Sequence, residues 1–62
     1  MNAVTEFHTL SIAAQIKSVE REIAMRQEVY PHRVASGKMK QATADYEISA
    51  MRAVLETLRE LA

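Results

Sequence analysis

Cationic and aromatic side chains are concentrated between positions 26 and 40 of this 62-residue chain, and together they could bind an anion. Residues 26–40 contain four cations and one acid, Glu28, so their local charge is +3 although the whole chain is neutral. Arginine binds phosphate through a bidentate fork, an aromatic ring can stack on a base, and free amides at a helix N-terminus attract anions. These residue types predict a site for a nucleotide or another phosphate ligand, formed by Arg26, Tyr30, His32, Arg33, Lys38 and Lys40. In this prediction Arg26 and Arg33 contact phosphate and Tyr30 stacks on a base, whereas the alternative is an ordinary solvated basic surface.

Arg26 is the most unusual of these residues because it occupies a position where an apolar side chain is expected. The apolar series of the first half of the chain would place it in the seam between helices. A buried guanidinium without a partner is very costly, so it must meet an anion or reach water. Glu47 is the internal candidate, and a bound anionic ligand is the alternative.

The sequence contains no arrangement typical of an enzyme or a metal site. None of its serines has a histidine or lysine at an activating spacing, and its two histidines, His8 and His32, are 24 residues apart. Cysteine is absent, which excludes disulfides and thiolate zinc sites. Gly37 stands alone, so there is no glycine-rich phosphate loop, and the Glu-x-x-His pattern of di-metal bundles does not occur. We predict no enzyme activity, no metal and no cofactor.

The elements that must position these residues are two amphipathic helices. Apolar residues recur every three or four positions in both halves of the chain, which is a helical and not a strand period. The spacing predicts helices over about 11–30 and 41–61, joined by a Pro/Gly connector over about 31–40. Ser11 is the expected N-cap of the first helix, and Pro31 is expected to end or kink it at Tyr30. Gly37 is expected in a left-handed position that closes the connector.

The start of the second helix is less sharply defined, because Lys40 is a poor cap and Thr43 a good one. Asp45 and Glu47 are expected in its first turn, where the helix dipole favours acids.

Two helices on a short connector predict an all-α fold, namely an antiparallel two-helix hairpin. Such a hairpin has one seam and no enclosed core, and its apolar faces are wider than one partner helix can cover, since Met25, Val29, Val54 and Leu61 remain beside the main stripes. We therefore predict a homo-oligomeric helical bundle, most simply a dimer of two hairpins. The predicted interface consists of Ile16, Val19, Ile23, Ile48, Met51, Val54, Leu55, Leu58 and Leu61. Residues 1–10 would be a tail or a lid in which Val4, Phe7 and Leu10 fold back onto the helices of a monomer.

The bulk composition excludes several classes of protein. A neutral chain lacks the basic excess of a non-specific nucleic-acid binder, and an acidic start of the second helix argues against a DNA-reading helix-turn-helix. There is no apolar run long enough to span a bilayer, and the first ten residues lack the charged and apolar regions of a secretory signal. These absences, with the lack of cysteine, predict a cytoplasmic protein.

Three segments together resemble a set of short phage and prophage proteins of proteobacteria. They are QIxxVEREI at 15–23, RxxVYPxxVxxGKM at 26–39 and EIxxMxAVLxTL at 47–58, and they leave the first ten residues outside. The resemblance implies context and not a site, because it carries no catalytic or binding residues. Small accessory phage proteins often act against host defences, by binding a defence protein or by sequestering its nucleotide signal.

Three hypotheses of function follow. The leading one is a phage-encoded helical oligomer in the cytoplasm of the infected bacterium, which binds and sequesters an anionic, nucleotide-type immune signal without turning it over. The second is a protein–protein interaction module that inhibits a host complex through its surplus apolar face. The third is a structural or regulatory phage accessory protein, for which the sequence contains no evidence either way.

Overall fold

The computed structural model of the protein describes residues 10–62, which form two α-helices. Helix α1 is Ile12–Ala35 and helix α2 is Gln41–Leu61. They pack against each other in opposite directions, so the predicted all-α hairpin is confirmed. Of the three apolar residues proposed as a lid, Val4 and Phe7 lie outside the described residues, and Leu10 is exposed.

Helix α1 begins at the cap that the sequence predicts. The Ser11 backbone is extended, and its Oγ accepts the N–H of Ala14 at 3.0 Å. Gln15 donates its side-chain amide to the carbonyl of Leu10 at 3.0 Å. A cap of this kind satisfies backbone donors that have no partner inside the helix, which defines where the helix starts.

Helix α1 does not end at Tyr30, so the predicted boundary is wrong by five residues. Pro31 lies inside the helix, which continues to Ala35. A proline removes one bond, to the carbonyl four residues earlier, which belongs to Gln27. Both Pro31 and Gln27 are exposed, so water can reach the carbonyl that loses its bond. The connector is therefore residues 36–40 and not 31–40.

Gly37 has the predicted left-handed conformation, but it closes α1 itself and not a separate turn after Pro31. Its φ is +79°, and its N–H donates to the carbonyl of Val34 at 3.1 Å. The N–H of Lys38 donates to the carbonyl of Arg33 at 2.9 Å, and this pair of bonds is a Schellman motif. Only a residue that tolerates a positive φ fits here, which is why the single glycine of the chain occupies this position.

Helix α2 begins at Gln41 after Lys40, which makes no side-chain cap bond. The alternative cap, Thr43, is already helical, and the first turn contains no acid, so the expectation for Asp45 and Glu47 is wrong. The first backbone bond of the helix runs from the N–H of Ala44 to the carbonyl of Lys40 at 3.0 Å.

The hairpin buries few residues. Within residues 10–62 the buried side chains are Ile23, Ala44 and Leu55, and Ala44 is the most enclosed, at 2% exposure. The molecule is 14 Å thick along its shortest axis, which is a single layer of helices. Neither helix carries an apolar stretch that could cross a bilayer.

Candidate functional site

An ionic cluster lies at the edge of the seam, where Arg26 joins the two helices. Its Nε donates to Glu22 Oε2 at 2.8 Å, one turn earlier on α1. Its NH1 donates to both the backbone carbonyl and the carboxylate Oε1 of Glu47 on α2, at 3.1 and 3.3 Å. The structure thus answers the question that the sequence left open, since Arg26 pairs internally with Glu47. Glu22 is a second partner that the sequence analysis missed, although its i,i+4 spacing is visible in the sequence.

The cluster favours the charged form of Arg26. The hydrogen bond that Arg26 donates to Glu22 raises the pKa of its guanidinium above the ordinary value, burial opposes this, and electrostatic interactions with Tyr30, Glu22 and Glu47 raise it further. The Arg26 side chain is 18% exposed, whereas both carboxylates remain half-exposed. An arginine that is this enclosed is tolerated at an apolar position because both carboxylates and a carbonyl satisfy it.

Tyr30 lies between two guanidinium groups of the same helix. The Cζ atoms of Arg26 and Arg33 are each 5.9 Å from the centre of its ring. At this distance a cation is attracted by the face of an aromatic ring. The structure therefore brings together three of the six predicted site residues, and the ring is already engaged by protein cations.

The other three predicted site residues do not join this group. His32 is two positions after Tyr30, which turns its side chain about 200° around α1. Lys38 and Lys40 are exposed on the connector. Residues 10–62 contain no enclosed cavity and no group of three or more metal-ligating side chains. The predicted site is thus an open basic surface at the connector end of the hairpin.

The hairpin has two surfaces that run along its seam, one on each side, and we call them flanks. They differ in composition, and one ion pair between the helices lies on each. Arg59 NH2 donates to Glu20 Oε2 at 3.1 Å on one flank, while the Arg26–Glu47 pair lies on the other. Residues seven apart on a helix point in nearly the same direction. The positions in line with Arg59 on α2 are Asp45 and Arg52, so that side, with Glu20 and Glu56, is the charged flank.

The opposite flank is apolar along α2 and mixed along α1. The positions in line with Glu47 on α2 are Val54 and Leu61, while on α1 Val29 is seven residues after Glu22 and Gln15 is seven residues before it. We call the apolar flank the set Met25, Val29, Ala50, Val54 and Leu61. Three of its members are exposed large side chains, with Met25 at 45%, Val54 at 41% and Leu61 at 65% exposure. The ionic cluster lies within this flank.

The residues predicted as an oligomer interface divide into two groups. Ile23 and Leu55 are buried inside the hairpin itself, so its own seam uses them. Five others are half-buried along that seam, namely Ile16, Val19, Ile48, Met51 and Leu58. Val54 and Leu61 are exposed on the apolar flank. Ala44, which begins the apolar series of α2 in the sequence, is also buried in this seam.

Fold and site together define a two-helix hairpin with an ionic cluster set in an exposed apolar flank. Comparison of the chain with protein families, with curated proteins and with solved structures finds no match.

Proposed function

We propose that the protein is a non-enzymatic interaction module that works as a homo-oligomer, in which a second copy docks on the apolar flank. One observation carries the proposal, namely that large apolar side chains are exposed together on one flank of a hairpin only one helix thick. Chains of this size rarely gain enough stability from one small core, and this chain has no disulfide to assist it. Stacking two hairpins would enclose a four-helix core.

The size of the flank suits a stable dimer. The 21 residues of α2 make a helix about 32 Å long, and two packed helices with their side chains are about 20 Å wide. The face thus covers about 600 Å² in flat projection, and its uneven side chains add accessible area. Stable interfaces bury about 600–1,000 Å² on each partner, so one such face reaches the lower end of that range.

The charges of this face favour a second copy as the occupant. Glu22 and Glu47 contribute two negative charges, while Arg26 and Arg33, seven residues apart on α1, contribute two positive ones. A face with as many cations as anions does not repel itself. It also offers no net charge that would select a strongly basic or acidic partner.

Sedimentation of a variant pair tests this proposal. Val54→Lys places a charge in the apolar flank, whereas Ser49→Lys places the same charge at an exposed position of α2 on the charged side. We expect a concentration-dependent oligomer for the natural chain and for Ser49→Lys, and loss of the oligomer for Val54→Lys. Circular dichroism over the same concentrations identifies a variant whose helices form only on association. A natural chain that stays monomeric up to millimolar concentration would overturn the proposal.

Anion binding at the connector end is a second candidate function. The observation that favours it is Arg33, which lies against Tyr30 and has no ion pair with any carboxylate of residues 10–62. Lys38 and Lys40 are likewise exposed. An anion here would contact Arg33 and the connector lysines, while Arg26 stays with its carboxylates.

Thermal shift with a panel of nucleotides and inorganic phosphate tests this candidate. We expect stabilisation that is lost in Arg33→Gln and retained in the matched control Arg21→Gln, which removes a cation far from the connector. Equal shifts in both variants would indicate a non-specific charge effect and would reject the site. Sequestration of an immune signal from an infected bacterium stays a prediction that rests on the phage resemblance.

A further inference from the structure

The ionic cluster of Glu22, Arg26 and Glu47 is unusual because it lies on the surface that we propose is covered by a second copy. Its hydrogen bonds join Arg26 to Glu22 on α1 and to Glu47 on α2. It nevertheless lies among the exposed apolar side chains of the flank. An apolar residue in place of Arg26 would continue the apolar series of α1, and its burial would not remove water from a charged group.

The cluster leaves hydrogen-bonding groups directed away from the hairpin. Arg26 uses Nε and NH1, so the two N–H donors of its NH2 have no acceptor within residues 10–62. Glu22 and Glu47 each bind Arg26 through one carboxylate oxygen, and their other oxygens accept no bond from a described residue. No side-chain polar atom of the described part is buried without a partner, so these groups are hydrated.

The cluster has two carboxylates and one guanidinium, so it meets a copy of itself favourably only where Arg26 of each chain faces a carboxylate of the other. About a two-fold axis, NH2 of each Arg26 would face the free carboxylate oxygens of the other chain. Any other alignment of the two hairpins would remove water from these groups against apolar side chains and leave them unsatisfied, which is costly. The surrounding apolar side chains would tolerate many alignments, since hydrophobic contact has little direction.

We propose that the Glu22–Arg26–Glu47 cluster sets the register and copy number of the assembly by meeting its symmetry mate at the two-fold axis. Register here means the lengthwise alignment of the two hairpins. This inference rests on the self-association proposed above and adds which residues specify it. Buried polar groups are known to select register and oligomer state in helical assemblies, at some expense of stability.

Distances between spin labels on the assembled protein test the inference. The chain contains no cysteine, so Ser49→Cys on the charged side gives one label per chain. In this background we compare the natural cluster with the neutral variant Glu22→Gln/Arg26→Met/Glu47→Gln. We expect one sharp interchain distance for the natural cluster, and two or more distances or mixed copy numbers in native mass spectra for the neutral variant. The matched control is Glu20→Gln/Arg59→Gln, which neutralises the pair on the charged flank and should keep the single distance.

A second variant covers the case in which the neutral variant does not fold. Arg26→Lys keeps the positive charge but has no planar fork to hold two carboxylates and donate outward as well. We expect it to fold and to broaden the distance distribution. An unchanged sharp distance in either variant would overturn the inference while leaving self-association intact. A monomeric natural chain would instead overturn the proposed function, so the two failures are distinguishable.

Discussion

Replacement of Gly37 by alanine changes the stability through backbone strain at one position, and the structure gives the size of this effect. At φ +79° a side chain strains the backbone by about 1–2 kcal/mol. A Cβ built at this position meets nothing within 4 Å, so no steric cost is added. Alanine also restricts the unfolded chain, but at a positive φ this gain offsets only part of the strain. We therefore expect Gly37→Ala to lower the free energy of unfolding by about 1 kcal/mol.

Urea denaturation followed by circular dichroism measures this difference, at one fixed protein concentration because association contributes to stability. The midpoint should fall with an unchanged m-value, and Tm should fall by about 4–8 °C. Gly37→Asn should lose less, since asparagine tolerates the left-handed region, and Gly37→Val should lose more than alanine. Equal stability of the alanine variant and the natural chain would refute the reasoning. A loss above about 3 kcal/mol would also refute it, because it would require the steric clash that the open space excludes.

Five further substitutions test other parts of the fold, and urea denaturation measures the effect of each on folding. Lys40→Asp supplies the cap that α2 lacks and should stabilise by about 0.5–1 kcal/mol, whereas Ser11→Ala removes a cap and should cost about 1 kcal/mol. No gain from Lys40→Asp would mean that its side chain cannot reach the free amides. Pro31→Ala restores an N–H inside α1 and should stabilise by up to about 3 kcal/mol, with more helical signal. A loss of stability would show that the proline is needed where it stands. Leu55→Ala removes a buried side chain and should cost about 2–5 kcal/mol, while Leu61→Ala should weaken association more than folding. Equal folding costs for the two leucines would contradict their different exposure.

The local features of the hairpin were predictable from short stretches of sequence. Ser11 caps α1 and Gly37 takes the left-handed position because each choice depends on a few neighbouring backbone groups. The need of Arg26 for a carboxylate followed from the cost of an unpaired guanidinium at an apolar position. Pro31 was misjudged, because whether a helix tolerates a proline depends on the solvent exposure of the carbonyl that loses its bond.

The composition of the flanks became visible only once α1 and α2 were aligned. The helical period shows which residues of one helix share a direction, but it does not show which side of α1 meets which side of α2. Packing brings Glu47 to Arg26 and Glu20 to Arg59, and these two contacts assign Val54 and Leu61 to one flank and Arg52 to the other. The separation of His32 from Tyr30 has a different cause, because α1 continues past Pro31 and its helical turn directs the two side chains apart.

The sequence by itself therefore determined two amphipathic helices, their turn and the requirement for a partner at Arg26, because hydrogen bonding and periodicity act within a few residues along the chain. The tertiary structure decided which carboxylates satisfy that arginine and which apolar side chains stay exposed, because both depend on how far one helix is shifted and rotated against the other.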